Sequence, residues 1–314
     1  MKISLIDPLV VTDEIIEENK KKLEEMGHEF EYFKESAKDD DEIIKRLENS
    51  DVAIITNKKL SSKVIENTNL KLIDVAFTGV DHVDLDAAKE NNVVVENASG
   101  YSDQSVAELT IGFMINILRK FKANEENIYE DKDNFLLGDT LASKKVGIIG
   151  TGKIGTRVIE LLKAFGCEVI ASSRTEKKEV IDMGVEYVDL DTLLKQSDII
   201  SIHLPLNEKT KGYLSKDKLD LIRDDAILIN CARGPIIDND YLAKLLNDGK
   251  IAACGIDVFD MEPPLDKDYP LRNAKNTVLT NHIAFFTKEA MQKRCDIVFD
   301  NLYKFIDGKI QNEV

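Results

Sequence analysis

The chain has 314 residues, of which 43% are hydrophobic and 32% charged, a composition typical of a folded globular protein with room for two domains. Its 58 acidic and 42 basic side chains give a formal charge of -16, which argues against nucleic acid or an anionic membrane surface as a partner. A small anionic ligand would therefore need positive charge placed locally at its site. No apolar run approaches the roughly 20 residues of a membrane span. Because the chain starts with a strand pattern instead of a secretion signal, we expect a cytoplasmic protein.

Strand and helix patterns alternate in the first part of the chain. Apolar runs typical of strands, and the helical patterns between them, lie at residues 3–6, 14–26, 29–33, 40–49, 52–56, 72–76 and 93–95. Strands separated by helices of this length indicate βαβ crossovers and a parallel sheet. We therefore predict that a complete α/β domain comes first.

The middle of the chain begins with a helical pattern at residues 105–121 that is apolar on more than one face. Such a helix is predicted to be buried between domains or between subunits. Residues 122–139 are polar and rich in acids, and we expect a linker or an exposed arm there.

A glycine-rich motif, Gly150-Thr151-Gly152-Lys153-Ile154-Gly155, follows a strand pattern at residues 145–149 and opens a helical pattern that ends at Gly166. One glycine would make the turn from strand to helix, one would let the backbone approach a pyrophosphate, and one would allow close packing of the helix. The phosphate would then lie at the helix N-terminus. The sequence therefore predicts a Rossmann dinucleotide-binding domain.

Further strand patterns near residues 199–204, 226–230, 252–258 and 278–280 predict a doubly wound sheet of six or seven strands. The last helix carries an apolar stripe that must pack on another element, formed by Met291, Cys295, Val298, Leu302 and Phe305. Single cysteines in apolar surroundings, without metal-ligand spacing, are expected to be reduced core residues, and no metal is predicted: Cys167, Cys231, Cys254 and Cys295.

Four polar side chains follow the runs that form these strand patterns: His203 follows residues 199–202, Arg233 follows 227–231, Asp257 follows 255–256 and His282 follows 278–281. Ligands of an open parallel sheet bind at the carboxyl ends of its strands, so we expect all four to face the cleft above the glycine-rich turn. A single charge after a strand is usually solvated or paired. The arrival of four at one edge favours a functional site.

These residues fit the reduction of a 2-keto acid by a nicotinamide cofactor. The reaction needs a hydride at C2, a proton at the carbonyl oxygen and a hold on the carboxylate. The planar fork of Arg233 suits the carboxylate, and His282 suits the proton, since histidine titrates near neutral pH. Glu262, a few residues beyond Asp257, would favour the imidazolium form of His282 and fix its tautomer.

The surrounding motifs resemble those of the D-isomer-specific 2-hydroxyacid dehydrogenase family, from residue 56 to residue 307. Beside the glycine-rich motif, the resemblance rests on Gly79-Val80-Asp81-His82-Val83-Asp84, Ser105-Val106-Ala107-Glu108, His203-Leu204-Pro205-Leu206 with Thr210 and Gly212, Asn230-Cys231-Ala232-Arg233-Gly234, Asp257-Val258-Phe259 with Glu262-Pro263, and His282-Ile283-Ala284. The resemblance implies that Arg233, Glu262 and His282 are the catalytic residues.

The resemblance also implies a domain arrangement. A flavodoxin-like substrate domain would comprise residues 1–98 and 286–314, with a Rossmann domain of residues 99–285 inserted into it, and the protein would be a homodimer joined through the nucleotide domain. Backbone amides of the Phe77-Thr78-Gly79 loop would bind the substrate carboxylate. The predicted substrate-binding residues are then Asn57, Phe77, Thr78, Gly79, Arg233 and His282.

The end of the second Rossmann strand bears on cofactor choice. An NAD-preferring site usually has a carboxylate there for the ribose 2'-hydroxyl, but this chain has Ser172-Ser173-Arg174-Thr175. Hydroxyls and a guanidinium would bind a 2'-phosphate, so NADPH preference is predicted, with NAD possible as an alternative. The predicted cofactor contacts are Val106, Gly150, Gly152, Lys153, Ile154, Gly155, Ser172, Ser173, Arg174, Thr175, His203, Leu204, Pro205, Thr210, Cys231, Ala232, Arg233, Asp257, His282 and Ala284.

The motifs resemble two branches of the family, which have different substrates. Thr56-Asn57-Lys58 resembles the glycerate dehydrogenase or hydroxypyruvate reductase branch, which favours hydroxypyruvate and glyoxylate. Ala284-Phe285-Phe286-Thr287 is closer to an NADH-linked D-lactate or D-2-hydroxyisocaproate type. A phosphoglycerate dehydrogenase is a weaker expectation than either of these, because no regulatory domain follows. A cofactor-sensing binding protein would not require arginine, glutamate and histidine together.

Overall fold

The computed structural model describes residues 1–314, and its chain divides into two compact units. The first unit joins Met1–Ser102 with Phe286–Val314, and the second is Asp103–Phe285. Each unit holds one fully parallel sheet, of five strands in the first and seven in the second. The predicted fold class of two parallel-sheet α/β domains is confirmed. None of the helices combines the length and the apolar character that crossing a bilayer requires.

The first unit has its strands in the order β2-β1-β3-β4-β5. They are β1 (Lys2–Leu5), β2 (Glu29–Tyr32), β3 (Val52–Ile55), β4 (Leu72–Val75) and β5 (Val94–Asn97). Its helices, numbered along the whole chain, are α1 (Asp13–Glu25), α2 (Asp40–Arg46), α3 (Ser62–Glu66), α4 (Leu85–Glu90) and α12 (Lys288–Ile306). Every residue of β3 and β4 is buried, as in a sheet that helices cover on both faces.

The final helix α12 packs against β4 of the first unit. Thr287 caps its N-terminus by accepting a hydrogen bond from the amide of Ala290 at 3.2 Å. Four residues of the predicted apolar stripe are buried and Phe305 is half-buried. The same face also buries two polar residues, Arg294 and Asn301, and the Asn301 amide nitrogen donates to Asp74 and to the carbonyl of Asn97, each at 3.1 Å.

The second unit has its strands in the order β12-β11-β10-β9-β6-β7-β8, which lies within the predicted count. They are β6 (Lys145–Ile149), β7 (Glu168–Ser172), β8 (Glu186–Tyr187), β9 (Ile199–Ile202), β10 (Ile227–Asn230), β11 (Ala253–Ile256) and β12 (Thr277–Leu279). Its helices are α5 (Asp103–Leu118), α6 (Phe121–Tyr129), α7 (Lys153–Phe165), α8 (Lys178–Asp182), α9 (Leu190–Gln196), α10 (Lys216–Leu219) and α11 (Asn239–Asn247).

Alternating strand residues of this sheet enter two separate cores. Ile227 and Ile229 of β10 belong to the core that includes α5 and α7, whereas Leu228 between them belongs to the core that includes α9 and α11. Successive side chains of a strand point to opposite faces, so the two cores cover the two faces of the sheet. This doubly wound arrangement leaves the strand ends free to form a site.

Helix α5 is buried as its apolar pattern predicts, and within its own unit it contacts α7 and strands β10, β11 and β12. The segment expected to be a linker or an exposed arm contains helix α6, which begins after Lys120 turns the chain in the left-handed region, at φ +52. None of the residues of α6 is buried within this chain.

Candidate active site

The strand order gathers the predicted site residues of the second unit along one edge of its sheet. Strands β12, β11, β10, β9 and β6 are parallel neighbours, so their carboxyl ends lie together. The residues that follow these strands, in that order, are His282, Asp257, Arg233, His203 and Gly150. Polar groups at the carboxyl edge of a doubly wound sheet lie where such folds bind ligands.

The glycine-rich turn has the geometry that a dinucleotide requires. Gly150 has a φ of +95°, and a Cβ there would lie 2.5 Å from the His203 carbonyl oxygen. A Cβ on Gly155 would lie 2.0 Å from the Gly150 carbonyl oxygen, so helix α7 could not approach β6 with any side chain there. A Cβ on Gly152, by contrast, would meet no atom within 4 Å. The open face of Gly152 at the start of α7 fits a pyrophosphate.

The turn after β7 has no carboxylate between Ser172 and Thr175. Ser172 and Ser173 are half-buried, whereas Arg174 and Thr175 are exposed, and Arg174 forms no ion pair. This leaves two hydroxyls and a guanidinium at the position where Rossmann folds bind the adenosine ribose.

The turn that carries Arg233 is held by the side chain of Asn230, the last residue of β10. The Asn230 amide oxygen accepts from the amide of Ala232 at 2.9 Å, and its nitrogen donates to the carbonyl of Arg233 at 3.0 Å. A Cβ on the next residue, Gly234, would lie 1.8 Å from the carbonyl carbon of Phe259. The turn therefore packs directly against the backbone that follows β11, the segment that carries Asp257 and leads to Glu262.

Asp257 fixes the loop that carries His282. Its carboxylate is fully buried and accepts from the amides of Ile283 and Ala284 at 2.8 and 2.9 Å and from the Thr280 hydroxyl. The Asp257 carbonyl accepts from the amide of His282 at 2.8 Å. His282 has a φ of +60°, a conformation that costs a side-chain-bearing residue about 1–3 kcal/mol and persists only where the surroundings impose it. The Asp257 contacts impose it here.

His282 and Glu262 form a direct pair. The Nδ1 atom of His282 lies 3.1 and 3.2 Å from the two carboxylate oxygens of Glu262. The ring of Phe285 meets the imidazole edge to face, with centroids 5.3 Å apart. The imidazole side chain is 21% exposed. With Nδ1 engaged by a carboxylate, Nε2 is the nitrogen available to a reacting group.

Two further groups at this edge are held neutral. Desolvation lowers the pKa of His203 to about 4, and its Nε2 lies 2.9 Å from the Ser201 hydroxyl. Burial raises the pKa of Cys231, and the charge of Asp257 raises it further. His203 is thus an uncharged imidazole and Cys231 a protonated thiol at neutral pH, and neither is suited to act as a base or a nucleophile.

The other predicted cofactor contacts lie around the same edge of the second unit. Lys153 and Ile154 open α7, Val106 is buried near the start of α5, and Ala284 is buried beside Asp257. Leu204 and Pro205 follow β9, where the Thr210 hydroxyl donates to the Pro205 carbonyl at 2.6 Å and closes the loop. Ala232 is half-buried in the Arg233 turn.

The remaining predicted substrate residues belong to the first unit. Asn57 is exposed just after β3, and Phe77, Thr78 and Gly79 follow the neighbouring strand β4. The Thr78 carbonyl accepts from the Asn97 side chain at 2.9 Å, while the buried Thr78 hydroxyl has no hydrogen-bond partner. These residues occupy the carboxyl edge of the first sheet.

Sequence reasoning missed two residues that shape the site. Asn230 is the first residue of the Asn230-Cys231-Ala232-Arg233-Gly234 motif, but no role was predicted for it. Tyr187 donates to the Thr151 hydroxyl at 2.9 Å and accepts from the amide of Lys177 at 3.2 Å, linking the glycine-rich turn to the segment after β7. The position of Asn230 at a strand end could have marked it as a site residue. No feature of the sequence indicated the contacts of Tyr187. No group of three or more histidine, cysteine or acidic side chains could hold a metal ion.

A glycine-rich dinucleotide turn beside an arginine and a histidine–glutamate pair defines a dinucleotide-dependent oxidoreductase. Residues 111–284 match the family described as "D-isomer specific 2-hydroxyacid dehydrogenase, NAD binding domain". The chain belongs to the D-isomer specific 2-hydroxyacid dehydrogenase family.

Relatives cover nearly the whole chain. A D-3-phosphoglycerate dehydrogenase of Methanocaldococcus jannaschii is 37% identical over 313 residues, which are 98% of this chain but 59% of that protein. A hydroxypyruvate reductase of Blautia hydrogenotrophica is 33% identical over 303 residues, 94% of each chain. Among solved structures, an acyclic imino acid reductase in complex with NADPH and D-Arg superposes with a TM-score of 0.91 at 31% identity, covering 100% of both chains.

Proposed function

We propose that the protein reduces small 2-keto acids to D-2-hydroxy acids with NADPH, and that hydroxypyruvate and glyoxylate are its substrates. The observation that carries the proposal is the His282–Glu262 pair, held by Asp257 on the same sheet edge as Arg233 and the glycine-rich turn. Hydroxypyruvate and glyoxylate reductases at 32–38% identity support this choice of substrate.

The residues of the second unit divide the chemistry among them. The glycine-rich turn and the start of α7 hold the cofactor, and the bound nicotinamide supplies the hydride. Arg233 binds the substrate carboxylate through its planar fork. His282 donates a proton from Nε2 to the carbonyl oxygen of the keto acid, while Glu262 holds Nδ1 and fixes the orientation of the ring.

The preference for NADPH is supported by the residues after β7. The half-buried hydroxyls of Ser172 and Ser173 and the guanidinium of Arg174 can donate to a 2'-phosphate, and no carboxylate stands there to repel it. The imino acid reductase with a closely similar fold was solved with NADPH. NAD stays the alternative cofactor, because a D-lactate dehydrogenase of Aquifex aeolicus with a TM-score of 0.86 was solved with NAD.

In the first unit, the proposed substrate residues are Asn57 and the amides of the Phe77-Thr78-Gly79 loop. We further propose a homodimer joined through the second unit. Large apolar side chains are exposed on and after α6, which a partner copy would bury: Phe121, Ile128, Tyr129, Phe135 and Leu137. Four buried, unbridged cysteines fit a reducing compartment and support a cytoplasmic location.

Two other functions within the family compete with this proposal. An NADH-linked D-lactate or D-2-hydroxyisocaproate type enzyme is supported by the structural similarity to D-lactate dehydrogenases. A phosphoglycerate dehydrogenase is supported by the 37% identical relative. A kinetic panel separates the three, with pyruvate, 2-ketoisocaproate, hydroxypyruvate and glyoxylate as keto acids, 3-phosphoglycerate as the alcohol, and both cofactors. The proposal predicts the highest kcat/KM for hydroxypyruvate or glyoxylate with NADPH. A preference for NADH with pyruvate, or for oxidation of 3-phosphoglycerate, would overturn it.

A further inference from the structure

A buried arginine lies at the carboxyl edge of the first unit's sheet. Arg294, on α12, is only 2% exposed. One of its terminal nitrogens donates to the carbonyl of Leu9 at 2.7 Å. Its guanidinium carbon lies 5.3 Å from the centroid of the Phe77 ring and 5.9 Å from that of the Tyr101 ring. A single side chain thus contacts three separate loops.

The charge of Arg294 is not compensated by any acid. No carboxylate oxygen comes within 4.0 Å of it, and its Nε has no hydrogen-bond partner. Desolvation lowers the pKa of the guanidinium, which shows that the protein around it disfavours the charge. A buried cation without a counter-ion is destabilising in itself. Stability of the fold is therefore a poor explanation for its presence, especially since an apolar side chain would suit this buried helix face.

The three loops that Arg294 contacts lie where this sheet would bind a ligand. Leu9 follows β1, Phe77 follows β4 and Tyr101 follows β5, all at the carboxyl ends of parallel strands. Phe77 is also the first residue of the loop proposed to receive the substrate carboxylate. The rings of Phe77 and Tyr101 pack against each other edge to face, with centroids 6.1 Å apart. Arg294 lies against both rings.

We propose that Arg294 is a positioning residue for the substrate, which holds Phe77 and Tyr101, and with them the Phe77-Thr78-Gly79 loop, in the geometry that binds the keto acid. This inference rests on the proposed function. Cation–π contact with both rings holds the loop, and the tie to Leu9 anchors the guanidinium. The cofactor is assigned to the other unit, so Arg294 acts on the affinity for the keto acid and leaves the affinity for NADPH unchanged.

Steady-state kinetics of Arg294→Met and Arg294→Lys test this role. Methionine keeps an unbranched, buried side chain but removes the charge and the donor. Lysine keeps a cation that can approach aromatic faces and donate to Leu9. We expect the KM for hydroxypyruvate to rise about tenfold or more in Arg294→Met and only about threefold in Arg294→Lys, with the KM for NADPH unchanged in both.

Phe299→Leu is the matched control, because Phe299 is buried on the same helix but packs on Phe30 and Tyr303 instead of the loops. It should lower the melting temperature without moving the KM for the keto acid. An unchanged KM in both Arg294 variants, or an equal rise in Phe299→Leu, would overturn the inference. If Arg294→Met fails to fold, the KM of Arg294→Lys for the keto acid decides between the two outcomes. Wild-type protein without keto acid reductase activity would instead remove the proposed function, so the two failures are distinguishable.

Discussion

The buried carboxylate of Asp257 accepts a hydrogen bond from the amide of Ala284 at 2.9 Å, two residues beyond His282. Together with the bonds from Ile283 and Thr280, it holds the loop that carries His282 from the neighbouring strand end. Asp257 was predicted as a cofactor contact. Its hydrogen bonds indicate a second role, which is to position His282.

Replacing Asp257 by asparagine tests this positioning. One oxygen becomes an NH2 group that can face an amide donor, so at least one buried hydrogen bond is lost at a cost of about 1–3 kcal/mol. We expect a lower melting temperature and a kcat reduced by roughly 10- to 100-fold because His282 is displaced. Stability and kinetics should be measured together. A stable variant with wild-type kcat would contradict the positioning role.

The proposed catalytic residues should separate in their kinetic effects. Arg233→Ala removes the hold on the substrate carboxylate and should abolish nearly all turnover and most substrate binding. His282→Ala removes the proton donor and should lower kcat by roughly 100-fold or more with a smaller effect on KM. Wild-type kcat/KM in both variants would show that these residues do not carry the reaction.

The glycine-rich turn allows two matched substitutions. Alanine at Gly155 would place its Cβ 2.0 Å from the Gly150 carbonyl oxygen, so α7 must shift and the melting temperature should fall. Alanine at Gly152 meets no protein atom within 4 Å, and the fold should be unaffected. Its methyl group would occupy the space proposed for the pyrophosphate, raising the KM for NADPH about tenfold or more. Tight NADPH binding by a stable Gly152→Ala protein would show that the cofactor lies elsewhere.

Arg174 is the group that should distinguish the two cofactors. Arg174→Ala is expected to weaken the binding of NADPH by roughly 10- to 100-fold, because charge-assisted hydrogen bonds to a phosphate are lost. The affinity for NADH should be unchanged. Lys178→Ala is the control, since this exposed lysine pairs with Asp182 in the same surface region. An equal loss with both cofactors in Arg174→Ala would place Arg174 outside the 2'-phosphate site.

Glu96 should make stability depend on pH. Burial, with a smaller contribution from the charge of Glu313, raises its pKa from 4.5 to about 7, although the Gln311 amide donates to its carboxylate at 2.7 Å and opposes the shift. The folded state therefore keeps a proton that the unfolded state loses. This contribution is complete below pH 4.5, falls by up to about 1.4 kcal/mol per pH unit as the pH rises, and is gone above about pH 7.

Urea unfolding of wild type and Glu96→Gln between pH 4 and 8 measures this contribution. The stability of wild type relative to Glu96→Gln should decline across that window. In a Glu313→Gln background the same decline should be somewhat smaller, because one of the causes of the raised Glu96 pKa is removed. A constant difference between wild type and Glu96→Gln would mean that Glu96 ionises normally in the folded protein.

The sequence predicted the fold and the sheet edge because both depend on local patterns. Buried parallel strands are short apolar runs, and His203, Arg233 and His282 directly follow such runs. The parallel topology then brings residues far apart in sequence to one edge. Gly150 and Gly155 were likewise predictable, since each has a separate steric reason.

What the sequence did not predict depends on tertiary contacts. The bonds from Asp257 to Ile283 and Ala284 join segments 26 and 27 residues apart through backbone amides, which carry no sequence signal. The exposed helix α6 buries no side chain within this chain, so no packing pattern marked it in the sequence. Arg294 did carry a signal, because it lies three residues after Met291 on the apolar face of α12, where a charged residue is unusual.

In the proposed reaction, a hydride passes from NADPH to a small 2-keto acid and the D-alcohol forms. The most direct measurement is the rate of NADPH oxidation by the wild-type protein with hydroxypyruvate, followed by determining the configuration of the glycerate formed. We predict turnover in which D-glycerate accumulates in step with the NADPH consumed. L-glycerate, or no turnover with NADPH and hydroxypyruvate, would contradict it.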